Sequence, residues 1–227
     1  MAQKIKPNAY RIGITLPWVS RWFPKKQVRF FLEEDHIIRG IVKEKILAAG
    51  IASIEIERTG DTVRIIVKAA RPGLVIGRGG KGVEELKNAI LNAVLSYRRK
   101  NKIADKFNMN VTIEELKRFE ISAQVTAQQV AFDIEKRLPF RRVMKRTIET
   151  IMQNRDVQGV KIKLSGRLGG AEIARTEQLA RGKMSLQSLR ANVDYGEATA
   201  FNTYGTVGVK LWIYKGEVFE NKEKSKG

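Results

Sequence analysis

The spacing of hydrophobic positions in the first half of the chain predicts a helix, a β-hairpin, a second helix and a further strand. Apolar residues recur at helical spacing over 30–49, and Gly50 ends the run. Isoleucine or valine then alternates with other residues over 54–57 and 63–68, on either side of a turn at 59–61. The remaining predicted elements of this half are a helix over 83–95 and a strand over 109–114.

The second half of the chain has a different order, with two helices before a series of strands. One helical face runs from Ala123 to Leu138, Pro139 interrupts it, and a new helix continues to about Asn154. This order favours an α+β fold, here two helices packed on a four-stranded, mostly antiparallel sheet. The strand-like segments, separated by glycine-containing turns, are 160–165, 171–180, 189–194 and 206–214.

The N-terminal segment places cations among aromatic residues, and prolines interrupt any long helix in it. Two interpretations are open: a frayed terminus with an aromatic anchor, or an arm that becomes ordered on RNA. The mixture of cations and stacking side chains favours the arm. Its expected contacts with RNA or with other proteins are Lys4, Lys6, Arg11, Trp18 and Trp22. The chain thus divides into a basic arm over 1–28, a domain over 29–116, an α+β domain over 117–216 and a polar tail over 217–227.

The charge of the chain indicates a polyanionic partner. Its 43 Lys and Arg residues face 24 Asp and Glu residues, which gives a net charge of +19. Binding of such a chain to nucleic acid is driven by counterion release, and an anionic membrane is the second candidate. We expect a soluble intracellular protein, because no segment has the length and hydrophobicity of a membrane-spanning helix and the N-terminus does not resemble a secretory signal.

Residue usage argues against most enzyme chemistry. The chain has no cysteine, so disulfides, thiolate zinc sites and cysteine nucleophiles are excluded. Its single histidine, His36, leaves no imidazole cluster for a metal ion or for a catalytic triad, and we interpret it as structural. We expect no catalytic residue, no metal and no cofactor.

A glycine-rich loop, "ARPGLVIGRGGKGVEEL" over 70–86, matches two different phosphate-binding patterns. Its G-x-G-x-x-G spacing is that of dinucleotide-binding folds, which require the glycines directly after a strand and an acidic residue roughly 20 positions later. Here 71–73 separate the strand from Gly77, and the region near position 100 reads "YRRKNK". A Walker A loop is excluded because Val75 occupies the position of its first glycine.

The same loop satisfies the requirements of a KH domain. A short helical turn over 74–76 precedes G-x-x-G, and a helix follows it. Two strands before the loop and one after its helix indicate the type II variant. Glycines allow close approach of phosphates, and the helix N-terminus attracts them. The predicted RNA-binding residues are Gly77, Arg78, Gly79, Gly80 and Lys81.

A second basic feature is the helix predicted within "PFRRVMKRTIETIM", residues 139–152. Its cations share one arc, with no acid among them, and would repel one another unless an anion neutralised them. A merely solvated face is one alternative. A membrane-surface helix is another, but it fits less well because the apolar arc is needed for packing on the sheet. The basic arc consists of Arg141, Arg142, Lys145 and Arg146. The opposite arc consists of Phe140, Met144, Thr147, Ile148 and Ile151.

The chain resembles, over nearly its entire length, the family of the KH-containing third protein of the bacterial small ribosomal subunit. The resemblance rests on "QKIKPNAYRIGI", "RPGLVIGRGG", "FRRVMKR", "SGRLGGAEIARTE", "LRANVDYG" and "TYGTVGVKLWIYKGE". It implies a protein of the subunit head that contacts small-subunit ribosomal RNA and neighbouring head proteins, with one face on the channel through which messenger RNA enters. It also implies a location in ribosomes of a bacterial cytoplasm or a plastid, with no membrane partner.

The resemblance also assigns individual residues. Arg141, Arg142 and Lys145 match cations that line the messenger channel of the family, where they help to open messenger structure, and Arg146 joins them by helix geometry alone. Further contacts with ribosomal RNA or proteins are implied for Arg167, Arg175 and Arg190. The chain departs from the family in a longer link over 95–108, which is either a solvated loop or a further RNA contact. "GRGG" also replaces a loop that more commonly carries lysine.

Three functions therefore remain to be compared. The resemblance favours a structural RNA-binding component of the ribosome. A free RNA chaperone or regulator would use the same KH loop, and a nucleic-acid enzyme would need a set of acid and base residues that the sequence does not display.

Overall fold

The computed structural model describes residues 5–23, 28–60, 62–102 and 107–219. Lys4, the middle of the long link and the end of the polar tail lie outside these residues, as does the side chain of Arg78. The described residues form two compact units. One contains those up to Pro17 together with those from Arg118 onward, and the other is Trp18–Lys117. We call them the C-terminal unit and the KH unit.

The KH unit has the predicted order of helices and strands. Its main elements are α2 (Val28–Ile46), β2 (Ile51–Thr59), β3 (Thr62–Ala69), α3 (Pro72–Ile76), α4 (Lys81–Lys100) and β4 (Asn108–Glu115). Strands β2 and β3 form an antiparallel hairpin, and β4 returns parallel to β3. The crossover through α4 makes this parallel pairing feasible. Ile38 and Val42 of α2 and Ile90 of α4 are fully buried against the sheet, so both helices contribute to one core.

A short strand that the sequence did not predict extends this sheet. Residues Ser20–Arg21 form β1, which pairs in parallel with β2 and gives the order β1-β2-β3-β4. Farther towards the N-terminus, Pro7–Arg11 forms the short helix α1, which belongs to the C-terminal unit. The described part of the predicted 1–28 arm is therefore divided between the two units, and it is not a single irregular segment.

The C-terminal unit contains the predicted two helices and four strands, which confirms the α+β class. Its elements are α5 (Ala123–Glu135), α6 (Phe140–Met152), β5 (Gly159–Gly166), β6 (Arg175–Gly182), β7 (Ala191–Asn202) and β8 (Gly205–Glu217). The sheet is antiparallel throughout, in the order β6-β5-β8-β7. Ile162 and Leu164 of β5 and Leu211 of β8 are buried in one core with both helices.

Two strand boundaries differ from the prediction. Strand β6 begins at Arg175, because a 3-10 turn at Leu168–Gly170 precedes it. Strand β7 continues to Asn202, well beyond the predicted end at 194, because it pairs along β8 as far as Gly205. The sequence does not indicate this extension, because α5 packs so closely on the inner side of β7 that large apolar residues do not fit there. A Cβ on Gly196, for example, would lie 2.2 Å from the Ala123 carbonyl oxygen.

Candidate nucleic-acid interface

The glycine loop of the KH unit joins two helices through backbone that favours glycine. Gly77, Gly79 and Gly80 have φ values of +66°, +64° and +80°. Such positive values are costly for residues with a Cβ. After Gly80, α4 begins at Lys81, and no side chain in the described part of the unit caps it. The positive end of the α4 dipole therefore lies at the glycine loop without a described side chain to cap it.

The loop is also held closely against the helices that flank it. A Cβ on Gly82 would lie 2.4 Å from the Val75 carbonyl oxygen, so only glycine allows α3 and α4 to meet here. Beside the loop, Leu74 is 63% exposed and Ile76 is 41% exposed. The sequence analysis treated these two residues only as part of a helical turn, whereas the structure shows that they form an exposed apolar surface beside the glycine loop. Val75 between them is buried, and no feature of the sequence distinguishes it from its two exposed neighbours.

Helix α6 presents its cations to solvent, as its sequence predicts. The side chain of Arg141 is 72% exposed, and Arg142, Lys145 and Arg146 are also exposed. The opposite side of the helix packs in the core of the C-terminal unit. Its buried residues are Val143, Met144, Ile148 and Ile151, so Val143 joins the predicted apolar arc, while Phe140 and Thr147 are half-buried.

One acid from the sheet approaches this basic face. Glu177 on β6 accepts hydrogen bonds from Nε and Nη2 of Arg141, at 3.3 and 3.2 Å, and forms an ion pair with Arg175 at 3.4 Å. The bond from Arg141 holds the pKa of Glu177 below its ordinary value. The sequence prediction of a basic face without an acid was therefore incomplete. Glu177 comes from another element, and Glu149 of α6 itself is exposed on the same side as the cations. Both guanidinium groups also lie 5.7 Å from the centre of the Phe140 ring.

A groove of about 740 Å³ runs between α6 and β6. Arg141, Arg142, Lys145 and Arg146 all line it, together with Glu149, Glu177, Gln178 and Leu179. Within the described residues, no ion pair engages Arg142, Lys145 or Arg146. The fold thus gathers the four predicted cations beside one open groove and neutralises only part of their charge.

Arg11 lies inside the C-terminal unit and is only 1% exposed. Its guanidinium donates to the carbonyl oxygens of Ala191 at 2.6 Å and Ser188 at 2.9 Å. Further bonds reach the carbonyl oxygens of Pro7 and Leu186. Burial lowers the pKa of Arg11. Because its donors are used within the unit, we withdraw Arg11 from the predicted contacts with RNA or other proteins.

The other described residues of the predicted arm have separate environments. Trp18 is 66% exposed and is available to a partner. Trp22 donates from Nε1 to the carboxylate of Asp35 at 2.9 Å, and its ring meets Phe31 edge-on at 5.6 Å, so it anchors the chain to α2. Lys6 forms a surface ion pair with a glutamate of β7.

The two remaining arginines predicted from the resemblance make local contacts at the surface of the C-terminal unit. Arg167 donates to the carbonyl oxygens of Ala171 at 2.9 Å and Tyr204 at 3.2 Å. Arg190 pairs with Glu217 at 2.7 Å, although its side chain is 65% exposed. The structure therefore does not bring Arg167 or Arg190 into the groove beside α6, whereas Arg175 lies near it.

A buried cluster of charges in the KH unit was missed from the sequence. Glu34 and Asp35 of α2 are each 1% exposed, and both bond to Arg58 of β2. Arg98 of α4 donates to Glu34 at 2.7 Å and lies 4.0 Å from the centre of the Phe107 ring. These charges neutralise one another inside the unit, so we assign the cluster to the fold and not to the RNA-binding face.

The described residues show neither a metal-binding group nor a membrane span. They contain no group of three or more His, Asp or Glu residues suited to a metal ion, and His36 is exposed. In the same part of the chain, no helix combines the length and hydrophobicity required to span a membrane.

Comparison with protein families agrees with this geometry. The KH domain family matches residues 37–122, and the family described as "Ribosomal protein S3, C-terminal domain" matches residues 130–213. The fold and these matches define the class: a ribosomal S3-type protein with an N-terminal KH domain.

Full-length relatives extend the match to the whole chain. The "Small ribosomal subunit protein uS3" of Clostridium tetani is 46% identical over 227 residues, which cover 100% of this chain and 98% of the relative. The protein of the same name from Desulfovibrio desulfuricans is 45% identical over 222 residues, 98% of this chain and 99% of the relative. The chain belongs to the family of small ribosomal subunit protein uS3, which confirms the resemblance seen in its sequence.

Proposed function

We propose that this chain is a structural constituent of the small ribosomal subunit head, where it binds small-subunit ribosomal RNA and neighbouring proteins. Its relatives carry the name of a small-subunit protein, and its net charge of +19 suits an RNA partner. This function places the protein in ribosomes. The named relatives are ribosomal proteins, so an enzymatic function has no support from them.

We further propose that α6 lines the channel through which messenger RNA enters. The observation that carries this proposal is the set of cations exposed beside the groove, three of which have no acidic partner among the described residues. A single-stranded RNA backbone would neutralise them, and the groove gives its phosphates access to several cations at once. Held there, a separated strand is less able to pair again.

The glycine loop supplies a second RNA contact. Its glycines leave the backbone accessible, and the start of α4 offers uncapped N–H groups and the positive end of the helix dipole. Lys81 adds a formal charge at the first position of α4. We propose that this loop clamps an RNA backbone, as G-x-x-G loops of KH domains do.

The channel function is tested by replacing Arg141, Arg142 and Lys145 together with alanine. The apolar side of α6 is unchanged, so the protein should fold and enter small subunits. Ribosomes with this variant should translate unstructured messages at nearly the normal rate but slow at a stable hairpin, because opening each base-pair step costs about 1.4 kcal/mol. The salt dependence of messenger binding should fall by at most about 2 on a log–log plot, for three lost phosphate contacts.

A matched control replaces three other exposed cations, Lys43, Lys45 and Lys117, with alanine. This variant has the same net charge but should pass the hairpin normally. Equal slowing of the α6 variant on structured and unstructured messages would assign α6 to ribosomal RNA binding instead, as would its failure to enter subunits.

A free RNA chaperone remains the second candidate, because a KH loop also serves such proteins. Sedimentation of cell extract at moderate salt separates the two functions. A ribosomal constituent should migrate with small subunits, whereas a free regulator should remain near the top of the gradient.

A further inference from the structure

Helices α5 and α6 cover one face of the sheet in the C-terminal unit, whereas α1 and the segment around Met184 and Leu186 cover only the β7 end of the opposite face. Alternate residues of β5, among them Ile162 and Leu164, point into the core beneath α5 and α6. The residues between them point to the opposite side, which is the open face. On this side Tyr195 is only 8% exposed, and Trp212 packs with Met184 and Leu186. The accessible part of the face is formed by Thr176, Gln178, Lys161, Lys163, Ser165, Gly208, Lys210, Glu197 and Thr199.

The centre of this open face carries an unfavourable pair of like charges. Lys163 of β5 lies directly opposite Lys210 of β8. Like charges at such a position destabilise a sheet. Glu197 lies opposite Lys210, and Lys6 and the Tyr195 hydroxyl bond its carboxylate. The bond from Lys6, with a smaller contribution from the charge of Lys210, lowers the pKa of Glu197, so Glu197 compensates Lys210 only in part. Within the described residues, neither Lys163 nor Lys210 joins an ion pair.

The residues on one side of these lysines, and Lys161 on the other, suit an extended polyanion. On one side, Thr176, Ser165, Gly208 and Thr199 follow one another across the four strands, which gives a flat row of hydroxyl groups and backbone. On the other side, Lys161 lies 5.8 Å from the centre of the Trp212 ring, and Trp212 packs against Tyr195 at 5.4 Å. Lys161 is thus a third cation next to Lys163 and Lys210, and the hydroxyl row lies on the other side of that pair.

We propose that this open sheet face binds the phosphate backbone of an RNA segment, separately from the glycine loop and from α6. A phosphate between Lys163 and Lys210 would convert their repulsion into attraction, and the hydroxyl row would donate to neighbouring phosphate oxygens. Charge complementarity favours RNA over a protein partner, because the cores of protein interfaces are depleted in lysine. The inference rests on the proposed function, since it assigns a further RNA contact to a ribosomal protein.

The first test replaces Lys163 and Lys210 with glutamine in the full chain. The thermal midpoint should stay the same or rise, because the like-charge pair is removed. Affinity for small-subunit ribosomal RNA should fall about tenfold, and the log–log salt slope should become shallower by about 1.4 to 1.8, for two lost phosphates. The control K43Q/K45Q has the same net charge and should retain most of the affinity. Equal losses in both double variants would overturn the proposal.

Lysine acetylation followed by mass spectrometry distinguishes RNA from protein as the occupant. Lys163 and Lys210 should be acetylated in the free chain and protected in its complex with small-subunit ribosomal RNA alone, while Lys43 and Lys45 stay reactive in both. Protection that appears only in whole subunits would identify a protein partner. Full reactivity both with ribosomal RNA alone and in whole subunits would show that nothing covers these lysines. Either result overturns the proposal. Failure of the unsubstituted chain to bind ribosomal RNA would instead overturn the proposed function on which this inference rests.

Discussion

Arg11 and Arg142 have the same side chain but opposite environments. Arg11 is buried and bonds to four backbone carbonyl oxygens, whereas Arg142 is exposed beside a groove. Both follow an aromatic residue within two positions and precede apolar residues, so neighbouring sequence does not separate them. The difference arises because segment 186–191, far along the chain from Arg11, folds back to offer it acceptors.

Replacing Arg11 with methionine should therefore lower the free energy of unfolding of the C-terminal unit by about 2–4 kcal/mol, because buried carbonyl oxygens lose their donor. Hydrogen exchange of the amides in β7 and β8 measures this loss without interference from the KH unit. The matched control is Lys6→Met, which removes only a surface ion pair and should cost less than about 1 kcal/mol. Reduced RNA affinity of the Arg11 variant with unchanged stability would restore Arg11 as an RNA contact.

At the scale of the element, the proposed function of the glycine loop depends on the helices beside it. Gly60, in the turn between β2 and β3, has φ +58° and open space around its Cα, much as Gly79 has φ +64° and open space. Only Gly79 lies beside the uncapped start of α4. The two positions are similar in φ and differ in the helix N-terminus that lies next to Gly79.

Replacing Gly79 with aspartate should weaken binding of a single-stranded oligouridylate about tenfold or more, because a carboxylate would stand where a phosphate is expected. The control Gly60→Asp carries the same charge change and the same backbone cost, of about 1–2 kcal/mol. Circular dichroism should show a folded protein for both variants, and a titration with the labelled oligouridylate measures the affinity. If both variants lose affinity equally, the loop is not the RNA clamp.

On the scale of the whole molecule, each unit has its own main core, a smaller cluster of Ala191, Val193 and Tyr214 lies in the C-terminal unit, and the N-terminal segment contributes to both units. The core of the KH unit contains only residues of 38–109, whereas the core beneath α5 and α6 contains only residues of 121–213. Helix α1 belongs to the second unit although it precedes the first in sequence. The C-terminal unit is therefore discontinuous along the chain.

This organisation predicts that residues 18–117 can be excised. A chain in which residues 1–17 are joined to Arg118 by a flexible glycine-serine linker should fold cooperatively and have a higher thermal midpoint than residues 118–219 alone. Arg11→Met in the joined chain should remove most of that difference, because Arg11 supplies the main bonds of α1. Equal midpoints for the joined chain and for residues 118–219 would show that α1 adds nothing to the unit.

The sequence by itself determined the α+β class, the order of helices and strands, the type II KH arrangement and the two faces of α6. These features depend on periodicities of 2 and 3.6 residues and on glycine and proline, which act over a few neighbouring positions. The family could also be identified this way, because its motifs extend over nearly the whole chain.

Only the tertiary structure decided which charged side chains are buried, which are paired with an opposite charge and which remain exposed without a partner charge. Glu177 approaches Arg141 across two elements, Arg11 is enclosed by residues far along the chain, and Lys163 faces Lys210 through strand register. The interaction of a charge depends on its distance to other charges and to water, and folding sets those distances between segments remote in sequence. No local pattern contains that information, so the sequence located the basic elements while the fold determined which cations are available to an RNA.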